Sequence, residues 1–426
     1  MPAACPESKI LFFKAILKKI LFVSVSFPPK SDPEGLQTAK YFHHLQQYKD
    51  LQIDVVTSAI PTLYIPYDKD LEPYAKGVNQ LINIRLRENR YINFLRDRLG
   101  LHWTVFPDVK QSFHRQYKKA LKQIKHKPDL IYSRSDPKSS TIMAYKLKKS
   151  LQVPWILHLS DPWADCPLQQ MKGRLYQKHN EWERKCFEAA DIISLTSIPT
   201  IDFYQKKYPG MKDKFRFFPN VFEYSQQHEE PKEVPGGKFR IVYTGGLAYD
   251  RSPGYLLEPL SELYKEDPSI GDRLEVIFAG DVDGRNRAVF QQYNLPFVSW
   301  LGKVPFKEAL KLQRSAHYLV VIDSPIADPS LSMFFPSKLL DYMVAKKRIL
   351  AITTPGSASD LVMRDLKGDV CSHLEKEKIK TSIRSAMSAF LHQEKEYLQN
   401  DTPPKKYEAS YNAGRLYTEI NMLLHV

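Results

Sequence analysis

The sequence is sparing with residues that mark specialised folds. It has four cysteines in 426 residues, Cys5, Cys166, Cys186 and Cys371, and no two stand at metal-ligand or redox-motif spacing. A chain this long needs no covalent staples, so the pattern is that of a reducing compartment. Glycine is scarce, 17 residues against 30 prolines, and no segment repeats at solenoid or propeller periods. No apolar run reaches the roughly 20 residues of a membrane span. The nearest, Ile10 to Phe27, is broken by Lys14, Lys18 and Lys19 and lacks a small-residue cleavage site. It reads as a basic extension entering a first buried strand, with a peripheral anchor as the alternative. Carboxylates are in deficit, 48 against 62 lysines and arginines, leaving a net charge of +14. Anionic partners are favoured: nucleic acid, phosphorylated small molecules or an acidic membrane face. Walker loop, full G-x-G-x-x-G, H-E-x-x-H and nucleophile elbow are all missing, which weakens ATPase, dehydrogenase, metalloprotease and hydrolase readings.

What is present is alternation. Apolar runs at Lys19–Val25, Gln52–Thr57, Pro128–Ser133, Trp155–Leu159, Asp191–Thr196 and Phe215–Asn220 are separated by helical segments such as Gly35–Gln47 and Gly173–Ala190. A second series follows at Phe239–Thr244, Leu274–Ala279, Phe297–Leu301, Tyr318–Ile322, Arg348–Ile352 and Asp369–Ser372. Unbroken apolar strands alternating with helices predict α/β architecture: two tandem doubly wound, Rossmann-like domains with parallel sheets, facing across a cleft. The expected division is 1–222, a polar linker at 223–238, 239–404, and a last helix at 405–426 whose Tyr411, Leu416, Ile420 and Leu423 stripe packs back on the first domain.

Candidate chemistry collects at strand ends. Tyr243-Thr244-Gly245-Gly246, with Arg251 behind, allows close approach to a bulky anion and a cation to neutralise it; an ordinary strand-to-helix turn is the alternative. In Phe335-Pro336-Ser337-Lys338-Leu339-Leu340-Asp341-Tyr342, Pro336 starts a helix. Lys338 opposes the helix dipole as if an anion outweighed it, and Asp341 could accept from ribose hydroxyls. His158 and Asp161 end a first-domain strand and suit a base, hydroxyl acceptor or charge stabiliser, with a core histidine and a turn-forming aspartate as alternatives. Asn220 could touch ligand from a hinge or merely form an Asx turn. From Arg85 to Lys127 twelve cations face three carboxylates, with Tyr91, Ile92, Phe94, Leu95 and Leu99 interleaved. That pattern suits a helix on an anionic membrane, or a solvated basic face.

Together, His158-Leu159-Ser160-Asp161-Pro162-Trp163, Tyr243-Thr244-Gly245-Gly246, Ala279-Gly280, Leu301-Gly302-Lys303-Val304 and the Phe335–Tyr342 segment resemble, in order, the signatures of bacterial retaining glycosyltransferases of the type-B fold, the family 4-like enzymes of polysaccharide and lipopolysaccharide assembly. The resemblance implies transfer from a nucleotide diphosphate sugar to a glycan or lipid-linked acceptor. Arg251, Lys338 and helix amides would stabilise the departing diphosphate without metal or other cofactor. Gly245, Gly246, Pro336, Ser337 and Asp341 would complete the donor site, and Asp161 and His158 the acceptor side. It departs at Met333, where the family has the first of two glutamates eight positions apart, and at Gly246, where it has an arginine. The implied location is the cytoplasm, at the inner face of the membrane. Two alternatives stand: a nucleotide-sugar 2-epimerase of the same fold, and a basic nucleic-acid-binding protein, although no recognition module is present and nucleic acid is not an expected partner.

Overall fold

A computed structural model describes residues 17–425 apart from 64, 168, 170, 224–236, 249 and 327–331. Cys5, the basic extension and most of the expected linker lie outside the described residues.

The first sheet holds seven strands: β1 (Lys18–Val23), β2 (Leu51–Ser58), β3 (Gln80–Ile84), β4 (Leu130–Ser135), β5 (Trp155–Leu159), β6 (Ile192–Leu195) and β7 (Phe215–Phe217). They run parallel in the order β3-β2-β1-β4-β5-β6-β7. The second holds six: β8 (Phe239–Thr244), β9 (Leu274–Ala279), β10 (Val298–Trp300), β11 (Tyr318–Ile322), β12 (Arg348–Ile352) and β13 (Gly368–Cys371), in the order β10-β9-β8-β11-β12-β13, again parallel. Each sheet is therefore doubly wound, with its order reversing beside its first strand. The apolar runs become strands because both faces are covered: β5 and β11 are buried throughout. Separate apolar clusters occupy the two faces of each sheet.

Strand β3 goes unannounced in the sequence, and its burial explains why. It is the edge strand, and its buried Ile82 and Ile84 alternate with exposed Leu81 and Asn83, so no continuous apolar run marks it.

The last helix, Ala409–Leu423, crosses back to the first domain. Ala409, Ala413, Leu416 and Ile420 join the core formed by β1, β2 and helix α1 (Pro33–Leu45). Tyr417 stacks on Tyr48 at 4.0 Å, and Lys18 donates to Asn421 (2.6 Å), so one side of the first domain is closed by the end of the chain. Leu416→Ala should therefore remove about 2–5 kcal/mol of first-domain stability, read as a lowered denaturant midpoint with an unchanged second-domain transition.

Candidate active site

Ligands of doubly wound sheets bind outside the carboxyl ends of the strands, where the strand order reverses. Those points lie between β1 and β4 and between β8 and β11.

On the second domain, three turns that the sequence separates are hydrogen-bonded into one layer. Gly245 N donates to Ala279 O (2.7 Å), and Gly280 N to Gly302 O (2.8 Å). Both Gly245 (φ +123°) and Gly280 (φ +148°) have backbone angles that side chains rarely adopt, and a Cβ on Gly280 would overlap the Gly245 carbonyl. A Cβ on Gly245 would meet Lys338 Nζ at 2.8 Å, so the missing side chain makes room for that lysine.

Lys338 opens the Lys338–Ala345 helix, two residues later than the Pro336 start expected from the sequence. Tyr342 anchors the helix: its hydroxyl accepts from Thr244 N (2.9 Å) and donates to Val320 O (3.1 Å), on strands β8 and β11. The ammonium lies 3.9 Å from the Tyr243 ring centroid and donates to its hydroxyl (2.6 Å), which in turn donates to Gly246 O (2.9 Å). Burial and the charge of Arg251 hold the Lys338 ammonium well below its usual pKa, against a smaller pull from Asp323. Arg251 keeps a buried Nε with no hydrogen-bond partner. Among the described residues neither cation forms an ion pair with a carboxylate. Two basic side chains, an orphaned donor and glycine backbone have the chemistry to take up a multiply charged anion.

Asp341, one turn further on, faces the domain junction. Its Oδ1 lies 3.4 Å from Lys40 Nζ, which also donates to Val221 O (3.1 Å). Burial raises the Asp341 pKa, and Lys40 opposes the rise. Met333 is buried, and its carbonyl accepts from Ser197 Oγ (2.7 Å) and Thr200 Oγ1 (3.2 Å), tying the segment before Lys338 to the first domain. Asn220 likewise bridges the domains, donating to Phe335 O (3.4 Å).

On the first domain, Asp161 follows β5 and meets residues the sequence reading missed. Lys138 donates to Asp136 Oδ1 (2.5 Å) and to the Asp161 carbonyl (3.0 Å). Burial, then repulsion from the Asp136 carboxylate, push Asp161 up to about 7, with Lys138 opposing. Beneath this rim Arg134 is fully buried, donating to Glu34 Oε1 (2.9 Å) and Tyr132 OH (3.3 Å), while Ser160 donates to Glu34 Oε2. His158 shares the buried layer, with Nδ1 2.9 Å from Ser194 Oγ and Nε2 unpartnered. Burial and the Arg134 and Lys138 cations hold its pKa well below the usual histidine range. It is a neutral interior imidazole, whereas Asp161 is on the rim. The available signal for the missed residues was a polar run, Ser133-Arg134-Ser135 and then Asp136, closing a strand that begins apolar. Glu34 carried none, because it meets Arg134 from 100 residues away. Among the described residues no group of three or more histidine, cysteine or acidic side chains is placed to hold a metal ion.

Because Asp161 binds its proton more tightly folded than unfolded, its contribution to stability is full below pH 3.8 and falls as pH rises from there to about 7. Asp136→Asn removes the like charge and should move the Asp161 midpoint toward acid by about 1–3 pH units, measured by carboxyl-carbon NMR titration. An unmoved midpoint would separate the two carboxylates.

No family sequence model and no curated protein sequence matches the chain. Solved structures do. Sucrose-phosphate synthase from Thermosynechococcus elongatus is 15% identical with a TM-score of 0.65, covering 95% of this chain and 99% of that one. HepE from Anabaena, solved in complex with UDP-glucose, is 15% identical with a TM-score of 0.57, covering 96% and 98%. A protein described as a UDP-N-acetylglucosamine 2-epimerase from Listeria monocytogenes is 10% identical with a TM-score of 0.61, covering 96% and 97%. At these identities the likeness is one of architecture, and it extends over nearly the full length: the chain has the two-domain type-B glycosyltransferase fold.

Proposed function

We propose that the chain is a retaining glycosyltransferase that moves a sugar from a nucleoside diphosphate sugar to an acceptor hydroxyl. The observation that carries this reading is the Arg251 and Lys338 pair, two basic side chains with no carboxylate partner among the described residues, over a glycine-lined turn. Negative charge grows on the diphosphate as the glycosidic bond breaks, and cations fixed in advance stabilise that state most. The bond from C1 to the phosphate oxygen breaks, the acceptor oxygen bonds to C1 on the same face, and the acceptor proton passes to a phosphate oxygen. The step needs no protein nucleophile and no cofactor.

In this reading Gly245, Gly246, Pro336 and Ser337 line the donor site. Asp341 takes the ribose hydroxyls once Lys40 releases it. Backbone amides at Phe334 and Phe335 stand in for the carboxylate absent at Met333. On the first domain, Asp161 and Asp136 hold the acceptor, with His158 supporting the layer beneath. The acceptor is a lipid-linked or cell-surface polysaccharide intermediate met at the inner face of the cytoplasmic membrane. The exposed basic and aromatic segment near Arg90–Arg98 supports membrane contact, although among the described residues no helix is long and apolar enough to cross a bilayer.

The Listeria neighbour favours a second reading, a nucleotide-sugar 2-epimerase. Incubation with a panel of nucleotide sugars, followed by proton NMR, separates the two. The transferase hydrolyses its donor slowly with retained anomeric configuration and keeps its activity in a chelator. Arg251→Ala and Lys338→Ala should each lower kcat by about 10²–10³ while KM changes little. Conversion of the donor to its C2 epimer without hydrolysis would establish the epimerase instead.

A further inference from the structure

Helix α2 (Arg90–Arg98) follows the edge strand β3 and has no buried residue among those described. Asn89 caps it, its Oδ1 accepting from Tyr91 N (2.9 Å) and Ile92 N (3.1 Å). Its apolar side chains face outward: Tyr91 is 80% exposed, Phe94 59% and Leu95 53%, and Leu99 just beyond is 65% exposed. At 100° per residue these four and Ile92 fall on one side, with Arg98 among them, while Arg96 falls on the flank and Asn93 opposite. A helix with an unburied apolar face gains nothing from the protein core and must be covered by something else.

That flank lines a cavity of about 340 Å³, bounded by Arg87, Arg96 and Arg115 with Ile92, Val109 and Gln111. Its one carboxylate, Glu88, is already engaged by Lys110 (2.5 Å) and by Leu63 N (2.8 Å). Arg115 donates to the neutral Gln111 amide (2.5 Å). Among the described residues none of the three arginines pairs with a carboxylate. Ile92 belongs both to the apolar side of α2 and to the cavity wall, so the positive pocket begins where the apolar face ends. An apolar face next to a cluster of three accessible arginines matches a phospholipid surface in both its apolar and its anionic parts. The face reaches acyl chains while the guanidinium groups stay at phosphate level, where they bind bidentately.

We propose that the Arg87, Arg96 and Arg115 pocket binds the headgroup phosphate of an anionic membrane phospholipid, with the apolar side of α2 inserted beside it. The proposal rests on the membrane contact argued above and assigns it a built site. Strand β3 lies three strand spacings from β4, roughly 14 Å at about 4.8 Å per spacing, and both strands end on the same rim. A bilayer docked at α2 therefore lies along the edge of the crevice that holds Asp136 and Asp161.

The test is co-sedimentation with phosphatidylcholine vesicles, with and without phosphatidylglycerol, using the full chain and three variants: Arg87→Gln/Arg96→Gln/Arg115→Gln in the pocket, Lys118→Gln/Lys119→Gln/Lys122→Gln outside it, and Tyr91→Ser/Phe94→Ser/Leu95→Ser on the apolar face. A diffuse surface potential weighs each cation alike, so the two basic triples would then lose equally. A phosphate site predicts at least about tenfold greater loss for the pocket triple, loss in the apolar variant, and unchanged melting and donor hydrolysis in all three. The single Arg96→Gln variant, which leaves the Arg115 to Gln111 bond intact, should show part of the same loss. Equal losses in the two basic triples would overturn the pocket and leave membrane contact standing. Absence of vesicle binding by the unaltered chain would overturn both. Dimerisation through α2, abolished by the apolar variant, would overturn the proposal in favour of a second copy of the chain.

Discussion

The structure turns on two basic side chains, Lys338 and Arg251, that form no ion pair with a carboxylate among the described residues. Lys338 lies over Tyr243 in a space that a side chain at residue 245 would intrude on, and Arg251 adds its charge nearby with Nε unpartnered. Desolvating a cation beside a second cation is costly, and here the cost, only partly offset by Asp323, shows as a lysine that holds its proton weakly. The surroundings make relaxation difficult. Tyr342 pins the helix start to β8 and β11, and the turns after β8, β9 and β10 are bonded backbone to backbone. A site held in that state is preorganised for an anion.

The opposite wall is built on a different plan. Arg134 and Glu34 form a buried ion pair, to which Ser160 and Tyr132 add hydrogen bonds while Arg134 Nη2 stays without a partner. Such a pair is no large source of stability, since desolvation offsets much of the attraction, but removing one partner strands the other. Its geometric effect is to fix the ends of β4 and β5, and so the spacing of Asp136 and Asp161 above it. The two walls are held in register by Ser197 and Thr200 on the Met333 carbonyl, Asn220 on Phe335 and Lys40 on Asp341. The last contact occupies the Asp341 carboxylate, so under the proposed function donor binding would be linked to loosening of the junction.

Much of this was legible in the sequence where burial is complete. Strands β8, β9, β11 and β12 coincide with their apolar runs, because a strand covered on both faces writes its limits in hydrophobic residues. Edge strand β3 did not, since half its side chains face outward. Gly245, Arg251 and Lys338 were legible as short motifs near strand ends, although the contact between Gly245 and Lys338 spans 93 positions of sequence. Asp136, Lys138, Arg134 and Glu34 were not, because their meaning comes from neighbours on other strands and helices. His158 illustrates the converse: its residue type invites a chemical role, yet its place mid-layer in a fully buried strand makes it part of the interior.

The central claim is that the Lys338 and Arg251 pair awaits a diphosphate. Added negative charge would raise the Lys338 pKa toward its usual value, so binding must take up protons, and affinity must fall as pH rises. Calorimetric titration with a nucleoside diphosphate, in two buffers of different ionisation enthalpy at the same pH, measures that uptake directly. The account predicts net proton uptake that disappears in Lys338→Met. Binding with no proton uptake, or uptake that survives the substitution, would contradict it.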